Sequence, residues 1–271
     1  MIVIIRGGGD LASGVALRLY RAGLRVVMTE LPQPLAVRRL VSFSEAVYTG
    51  EAKVEEVSAR RVTDPTDILR ILQVISKNFI PVLIDPDGAS ISALHPHVVI
   101  DARMLKRQAD LIHTPVKLII GLGPGFTVGQ NCHAIIETRR GHTLGRVYWQ
   151  GTAEADTGIP DPIGGRGGER VLRSPQDGIF QPLLAIGDHV DEGQTVAEVD
   201  GAPVLAPFKG VLRGLVYEGL QVTKGMKIGD VDPRDDPQYA RMVSDKALAI
   251  GGGVLEAILS RVELRPQLWA R

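Results

Sequence analysis

Short aliphatic runs alternate with segments of helical periodicity along the first two thirds of the chain. Runs rich in valine, isoleucine and leucine predict strands at residues 2–5, 24–29, 54–57, 80–84, 98–100, 116–120 and 134–137. Apolar residues recur at helical spacing within residues 11–21 and 66–75, which predicts two helices. Such alternation is typical of a mostly parallel sheet covered by helices. We therefore predict a Rossmann-like α/β domain over residues 1–165.

Beyond residue 165 the helical pattern gives way to a β-rich one. A Gly-x-x-Val-x-x-Gly-x-x-Val/Ile motif occurs twice, at residues 187–196 and 219–228, and suggests two pseudo-symmetric β halves. The segment resembles the biotinyl/lipoyl barrel-sandwich, so we predict a degenerate β domain of that kind over residues 166–235. Its hairpin turn at residues 199–202 has no lysine. We therefore expect no covalent biotin or lipoate.

The last segment, residues 236–271, returns to helical periodicity, with apolar Ala257, Ile258 and Val262 on one face. It is too short to bury a core of its own, so we predict that it packs back on one of the two domains. The fold class predicted from these patterns is α/β: a Rossmann-like mostly parallel sheet, a β-rich barrel-sandwich and a C-terminal helical segment.

A glycine-rich turn follows the first predicted strand and opens the first predicted helix. It matches the dinucleotide-binding pattern Gly-x-Gly-x-x-Gly/Ala through the residues Gly7-Gly8-Gly9-Asp10-Leu11-Ala12. The helix amides after it would donate to phosphate oxygens, and Glu30 lies where an acidic residue should accept a ribose hydroxyl. We predict a cofactor site at these residues. The alternative is a turn that only packs.

A second glycine turn, formed by Gly121, Gly123 and Gly125, follows the strand predicted at residues 116–120. Loops at the carboxyl ends of parallel strands line the ligand crevice of open α/β sheets, so these glycines are also predicted to bind the cofactor. Pro124 has no backbone N–H to donate, which favours the alternative of a simple tight turn.

A third candidate group is Arg140, His142 and Arg146, which crowd a glycine-punctuated stretch after Glu137. Arginine side chains suit phosphate or carboxylate, and a histidine beside them could move protons. We predict that the three residues bind a substrate or another anion. A solvated loop is the alternative.

Composition narrows the classes of function. The 31 basic and 31 acidic residues balance and only 4% of residues are aromatic, so we expect no nucleic-acid partner. No apolar stretch is long enough to span a membrane, and the single cysteine, Cys132, excludes a disulfide framework within the chain. These features predict a soluble, cytoplasmic protein. No metal site is predicted from the six histidines or the cysteine.

Several blocks distributed over nearly the whole chain resemble the YqeB family. They are Arg6-Gly-Gly-Gly-Asp-Leu-Ala-Ser-Gly14, Val41-Ser-Phe-Ser-Glu-Ala-Val-Tyr48, Gly121-Leu-Gly-Pro-Gly-Phe126, Glu137-Thr-x-Arg-Gly-His-x-Leu-Gly-Arg146, Thr157-Gly-Ile-Pro160 and Ser244-Asp-Lys-Ala-Leu-Ala-Ile-Gly-Gly-Gly-Val254. Asp161 and Cys132 depart from the family pattern without breaking a block.

The resemblance implies an accessory role in maturing a selenium-dependent molybdenum hydroxylase, with distant kinship to xanthine dehydrogenase accessory proteins. The partners would be the hydroxylase or its cofactor-biosynthesis proteins, and the ligand a nucleotide such as NAD(P) or a molybdopterin-type cofactor. Whether the chain catalyses a reaction stays open. The alternative is an NAD(P)-dependent oxidoreductase of unknown substrate.

Overall fold

The computed structural model describes residues 1–105, 107–156, 158 and 162–268. By packing, the described residues form two compact units. Unit 1 comprises those of Met1–Pro34, Phe43–Thr157 and Val243–Arg271, and unit 2 those of Leu35–Ser42 and Gly158–Met242. The predicted domain boundaries after residues 165 and 235 stay predictions, because a compact packing unit is not by itself an independently folding domain. Of the sequence block Thr157–Pro160, the structure describes Gly158 alone, and Asp161 also lies outside the described residues.

The described strands and helices follow one another along the chain in a βα pattern and then a β pattern. The strands are β1 (Ile2–Arg6), β2 (Arg25–Glu30), β3 (Glu51–Val54), β4 (Val57–Val62), β5 (Ile80–Ile84), β6 (Val98–Asp101), β7 (Leu118–Leu122), β8 (Ala134–Ile136), β9 (Val147–Tyr148), β10 (Val171–Arg173), β11 (Gly178–Pro182), β12 (His189–Val190), β13 (Thr195–Val199), β14 (Ala202–Leu205), β15 (Gly210–Leu215), β16 (Gln221–Val222) and β17 (Lys227–Asp232). The helices are α1 (Asp10–Arg21), α2 (Ala46–Thr49), α3 (Ile68–Ser76), α4 (Ala89–Leu94), α5 (Gln238–Arg241) and α6 (Asp245–Ser260).

Unit 1 contains a nine-stranded mixed sheet in the order β3-β4-β5-β2-β1-β6-β7-β8-β9. The seven strands from β4 to β8 in this order are parallel, and antiparallel strands lie at both edges. In β1 the residues Val3, Ile4 and Ile5 are fully buried, as expected for a central parallel strand covered on both faces. Strand β1 pairs with β2 on one side and β6 on the other, so the strand order reverses there.

Helices α1 and α6 of unit 1 pack closely because small residues face each other. A Cβ on Gly14 of α1 would lie 2.6 Å from the Cβ of Ala247, and one on Gly251 of α6 would lie 3.0 Å from the carbonyl oxygen of Gly14. Helix α6 begins at Asp245. The preceding residue, Ser244, is its N-cap, and the Ser244 hydroxyl accepts a hydrogen bond from the N–H of Ala247. Such an N-cap satisfies one of the unpaired donors at a helix start.

Unit 2 contains two four-stranded antiparallel sheets, β10-β17-β15-β12 and β14-β13-β11-β16. Asp230 and Asp232 of β17 are fully buried and bind arginine side chains, with Arg213 bonded to both. Arg170 binds Asp230, and Arg234 binds Asp232 at 2.6 Å. Each buried carboxylate is thus paired with arginine side chains, and removing one partner would leave a buried charge uncompensated.

The predicted fold class is wrong in its β-rich second part and incomplete in its first part. The large sheet is parallel over seven of its nine strands, but it is a mixed sheet, because antiparallel strands pair at its two edges. In the second part the strands form two separate sheets, and among the described residues neither closes into a barrel. The repeated glycine motif marks the turns that precede the short strands β12 and β16, and is not the signature of a closed biotinyl/lipoyl-like barrel.

Candidate functional site

The carboxyl ends of β1 and β6 lie side by side where the strand order of unit 1 reverses. In open α/β sheets ligands bind outside the carboxyl ends of strands at such a reversal. Gly7 turns the chain at this point, with a φ of +101° and its N–H donating to the carbonyl of Thr29 at 2.8 Å. A Cβ on Gly7 would lie 3.2 Å from the carbonyl oxygen of Ala102, so glycine is needed for this turn.

Gly8 is packed by the protein's own chain. Its carbonyl oxygen accepts hydrogen bonds from the N–H of Ser44 at 2.9 Å and the hydroxyl of Ser13 at 3.1 Å. A Cβ there would lie 3.0 Å from the Cγ of Glu30 and from the backbone nitrogen of Ser44. The middle of the predicted cofactor turn is therefore filled by neighbouring residues.

Gly9 differs from its two neighbours because the space next to it is open. Its φ of −67° and ψ of −176° are ordinary extended values, and among the described residues no atom would lie within 4 Å of a Cβ at this position. Gly9 is the N-cap of α1, and no side chain caps this helix start. Asp10 accepts a bond from the N–H of Leu11 at 2.8 Å. The α1 N-terminus, where the helix dipole leaves a partial positive charge, thus has open space beside Gly9 and the carboxylate of Asp10 in its first turn.

Glu30 closes one side of the first glycine turn. Its carboxylate accepts hydrogen bonds from the N–H of Gly8 at 2.8 Å and the N–H of Leu31 at 2.7 Å. Burial raises the pKa of Glu30, although the bonds from Leu31 and Gly8 oppose that effect. Both oxygens thus hold the backbone of the turn, and the predicted bond from Glu30 to a ribose hydroxyl stays a prediction.

Two arginines and two aspartates form a charged cluster at the same edge of the sheet. Arg6 ends β1 and Asp101 ends β6, and their side chains are bonded at 3.3 Å. Arg103 binds Asp101 at 2.6 Å and Asp110 at 2.7 Å, and Arg6 binds Asp110 at 3.3 Å. The site residues predicted from the sequence do not include Arg6 or Asp110. A charge at the end of the apolar strand β1 was the available signal for Arg6.

The second glycine turn is packed by side chains and backbone, so its glycines provide close contacts within unit 1. A Cβ on Gly121 would collide with the ring of Phe126, and one on Gly123 with the hydroxyl of Thr138. A Cβ on Gly125 would collide with the carbonyl oxygen of Arg107. These contacts favour the tight-turn alternative, while the predicted ligand role of these residues stays a prediction.

Arg140, His142 and Arg146 lie on a loop of unit 1 that packs against α6. Arg140 binds Asp245, the first residue of α6, through two bonds of 2.7 and 2.9 Å. The Arg146 side chain donates a hydrogen bond to the carbonyl of His142 at 3.1 Å, and both residues are exposed to solvent. The structure therefore gives Arg140 a carboxylate partner within the chain. The predicted anion-binding role of the three residues stays a prediction.

Glu137 is fully buried and accepts three backbone hydrogen bonds, from Thr138, Arg139 and Glu154, at 2.7–2.8 Å. It organises the chain that leads into this loop.

Cys132 is also buried, and burial raises the pKa of its thiol to about 11, against one opposing backbone bond from Gly121. Burial therefore disfavours the thiolate, which is the nucleophilic form of cysteine.

Neither a metal centre nor a membrane span is evident in the described part of the chain. No group of three or more histidine, cysteine, aspartate or glutamate residues within it could hold a metal ion. Within the same residues, no helix is long and apolar enough to cross a membrane.

Comparison with known proteins found several solved structures with low similarity. An aspartoacylase family protein from Mesorhizobium loti is 11% identical with a TM-score of 0.22, covering 84% of this chain and 51% of the other. A succinylglutamate desuccinylase from Silicibacter sp. TM1040 is 12% identical with a TM-score of 0.25, covering 85% and 84%. A succinylglutamate desuccinylase/aspartoacylase from Rhodobacter sphaeroides is 24% identical over 30% of this chain and 28% of the other, with a TM-score of 0.21. Scores this low transfer no activity to this chain.

The comparisons give no support to the predicted function. The solved structures are named as desuccinylases and aspartoacylases, not as accessory proteins of molybdenum hydroxylases or as NAD(P)-dependent oxidoreductases. The predicted maturation role, the oxidoreductase alternative and the assignment of Rossmann nucleotide binding are therefore not proposed for this chain. The structure offers a physical reason for the last of these, because Glu30 and Ser44 occupy the surroundings of Gly8.

Sequence comparison gives a clearer relationship. No family model matches the chain. The chain is 45% identical over 258 residues to the Escherichia coli (strain K12) protein named "Uncharacterized protein YqeB", covering 95% of this chain and 47% of YqeB. It thus spans about half the length of the curated relative that it matches. Over nearly all of its own length, this chain is a homologue of YqeB.

Proposed function

We propose that unit 1 binds a small anionic molecule at the carboxyl edge of its sheet, beside Gly9. One observation carries this proposal: the N-terminus of α1 has no side-chain cap and faces open space where the strand order reverses. Asp10 already accepts a hydrogen bond from the N–H of Leu11, and the helix dipole makes the remainder of such an N-terminus favourable for negative charge. The reversal of strand order is also where open sheets of this kind bind ligands.

The charged cluster beside the turn supports the same proposal. Arg6 and Arg103 bring two guanidinium groups to this edge, where they are paired with Asp101 and Asp110, and guanidinium groups suit carboxylates and phosphates. The predicted ligands, NAD(P) or a molybdopterin-type cofactor, and the predicted hydroxylase partners stay predictions. We also keep the cytoplasm as the proposed location, on the argument from the single cysteine.

The test is Gly9→Val, with pyrophosphate as the probe in isothermal titration calorimetry at low ionic strength. A Cβ on Gly9 would meet no described atom, so the fold should persist while the valine side chain takes up open space at the α1 N-terminus. We expect affinity for pyrophosphate to fall by about tenfold or more, the scale of a lost charge-assisted hydrogen bond.

Gly252→Ala is the matched control, because Gly252 of α6 also has no described atom near a Cβ position. It should leave pyrophosphate affinity unchanged. Unchanged affinity in a folded Gly9→Val protein would overturn the proposed function.

A further inference from the structure

Arg6 is nearly inaccessible to solvent and yet makes only long hydrogen bonds. Its side chain is 5% exposed. Its bonds to Asp101 and Asp110 are 3.3–3.4 Å, whereas N–H···O bonds are normally about 2.7–3.2 Å. A guanidinium removed from water needs good hydrogen bonds to offset the loss of hydration. Arg6 is therefore poorly compensated by the carboxylates now beside it.

The two carboxylates of the cluster differ in how they are held. Asp101 is 1% exposed, ends β6 and is bonded to Arg103 at 2.6 and 2.9 Å. Asp110 is 58% exposed, and none of the described residues from 102 to 117 lies in a helix or strand. Asp101 thus belongs to the framework, while the Asp110 side chain can turn into solvent without disturbing a regular element.

The charges of the cluster show what happens if Asp110 turns away. Two guanidinium groups and two carboxylates balance in the structure as it stands. Burial alone would raise the pKa of Asp110, but its bond from Arg103 and the charges of Arg103 and Arg6 hold its pKa at about 2. Asp110 is therefore an anion at neutral pH. Without it, one positive charge at Arg6 and Arg103 lacks a partner among these four groups.

We propose that Arg6 and Arg103 form the binding site for a carboxylate group of a small molecule, and that Asp110 occupies this site as an internal carboxylate until the ligand displaces it. The carboxylate of Asp110 shows that this chemical group fits between the two guanidinium groups. The inference rests on the proposed function, since both place an anion at this edge of the sheet.

The test measures binding of malonate by isothermal titration calorimetry, with uncharged malonamide as a control of the same size. Asp110→Asn removes the competing charge, so malonate affinity should rise by about tenfold, while Arg103→Ala should lower it by a similar factor. Malonamide should not bind detectably to any variant. Glu56→Gln is the matched protein control, because it neutralises another carboxylate paired with an arginine, Arg21, and should not change malonate affinity.

Asp110→Glu keeps the negative charge and should return malonate affinity toward that of the wild type, which guards against a folding defect in Asp110→Asn. Unchanged or lower affinity in a folded Asp110→Asn protein would overturn the inference. An equal gain for malonate and malonamide would also overturn it. If Gly9→Val loses pyrophosphate binding but Asp110→Asn does not gain malonate affinity, this inference alone is overturned. If Asp110→Asn gains malonate affinity but Gly9→Val keeps its pyrophosphate affinity, the proposed α1 site alone is overturned.

Discussion

At the scale of single residues, the Glu30 carboxylate stabilises the first glycine turn through hydrogen bonds, although its burial disfavours the charged form. Its oxygens accept hydrogen bonds from the N–H groups of Gly8 and Leu31. Burial raises the pKa of Glu30 above its ordinary value of 4.5, and the two bonds lower it only in part. The protonated form is therefore more favourable in the folded than in the unfolded chain.

This shift predicts a pH dependence of stability with a definite sign. The folded-state pKa of Glu30 exceeds 4.5. Its contribution to the free energy of unfolding is therefore fully present below pH 4.5 and is lost as the pH rises through the folded-state pKa. We expect an NMR titration of the Glu30 side-chain carboxyl carbon to give a pKa above 4.5. In Glu30→Gln, the part of the pH dependence of the unfolding free energy that arises from this group should disappear.

Glu56 provides a control of opposite sign for that prediction. The hydrogen bond from Arg21 lowers the pKa of Glu56 to about 2. The contribution of Glu56 to the free energy of unfolding is therefore present above pH 4.5 and is lost as the pH falls through the lowered pKa. The group is exposed, and solvent screening keeps this contribution small. A titration that gave Glu30 a pKa of 4.5 or less would contradict the prediction.

The residue scale also shows where sequence reasoning succeeded and where it lacked information. The pattern at Gly7 identified a turn that needs glycine, since its local conformation is set by neighbours in sequence. It could not separate Gly8 from Gly9, because Ser44, which packs on Gly8, is brought there by the tertiary fold. Asp110 gave no signal at all, since it lies in a long connection without periodicity.

At the scale of elements, α6 carries three consecutive glycines with different surroundings. A Cβ on Gly253 would lie 2.9 Å from Cγ2 of Ile136 and would collide with the carbonyl oxygen of Gly145. Gly252 is exposed and meets no described atom. The same substitution should therefore have opposite effects at adjacent positions of one helix.

We expect Gly253→Ala to lower the free energy of unfolding by about 1–3 kcal/mol, the usual range for overpacking. Gly252→Ala should raise it by up to about 1 kcal/mol, because alanine is the better helix former. Urea denaturation of both variants measures the difference. Equal effects of the two substitutions would show that backbone freedom, and not packing against the neighbouring loop, decides the role of these glycines.

Element boundaries were predicted well where the signal was local. Helix α3 begins after Asp67, which accepts a bond from the N–H of Arg70, close to the helix predicted at residues 66–75. The strand predicted at residues 54–57 is instead a hairpin turn between β3 and β4, and Glu55 adopts a φ of +53° there. A run of suitable residues cannot show that the chain reverses within it, since the reversal depends on pairing between residues such as Val54 and Val57.

At the scale of the whole molecule, the alternation of strands and helices predicted the parallel part of the large sheet, including the central strands β1 and β2. The antiparallel edges were not predictable, because β9 has only two residues and β3 is short. The repeat in the second part was real as a sequence pattern, but it does not specify sheet closure. Closure depends on pairing between strands far apart in sequence, which a local motif does not encode.

The hairpin between β13 and β14 predicts that the chain carries no covalent biotin or lipoate. Its tip is Asp200 and Gly201, with φ values of +43° and +80°, and neither residue carries an amine. Carrier domains attach biotin or lipoate to a lysine at such a tip, whereas Lys209 and Lys246 lie elsewhere in the sequence. Protein produced in cells that contain both ligases should therefore have the unmodified mass of 29.2 kDa. An authentic carrier domain expressed in the same cells controls for ligase activity, and an added biotinyl or lipoyl mass on this chain would show that a lysine away from the hairpin tip is recognised.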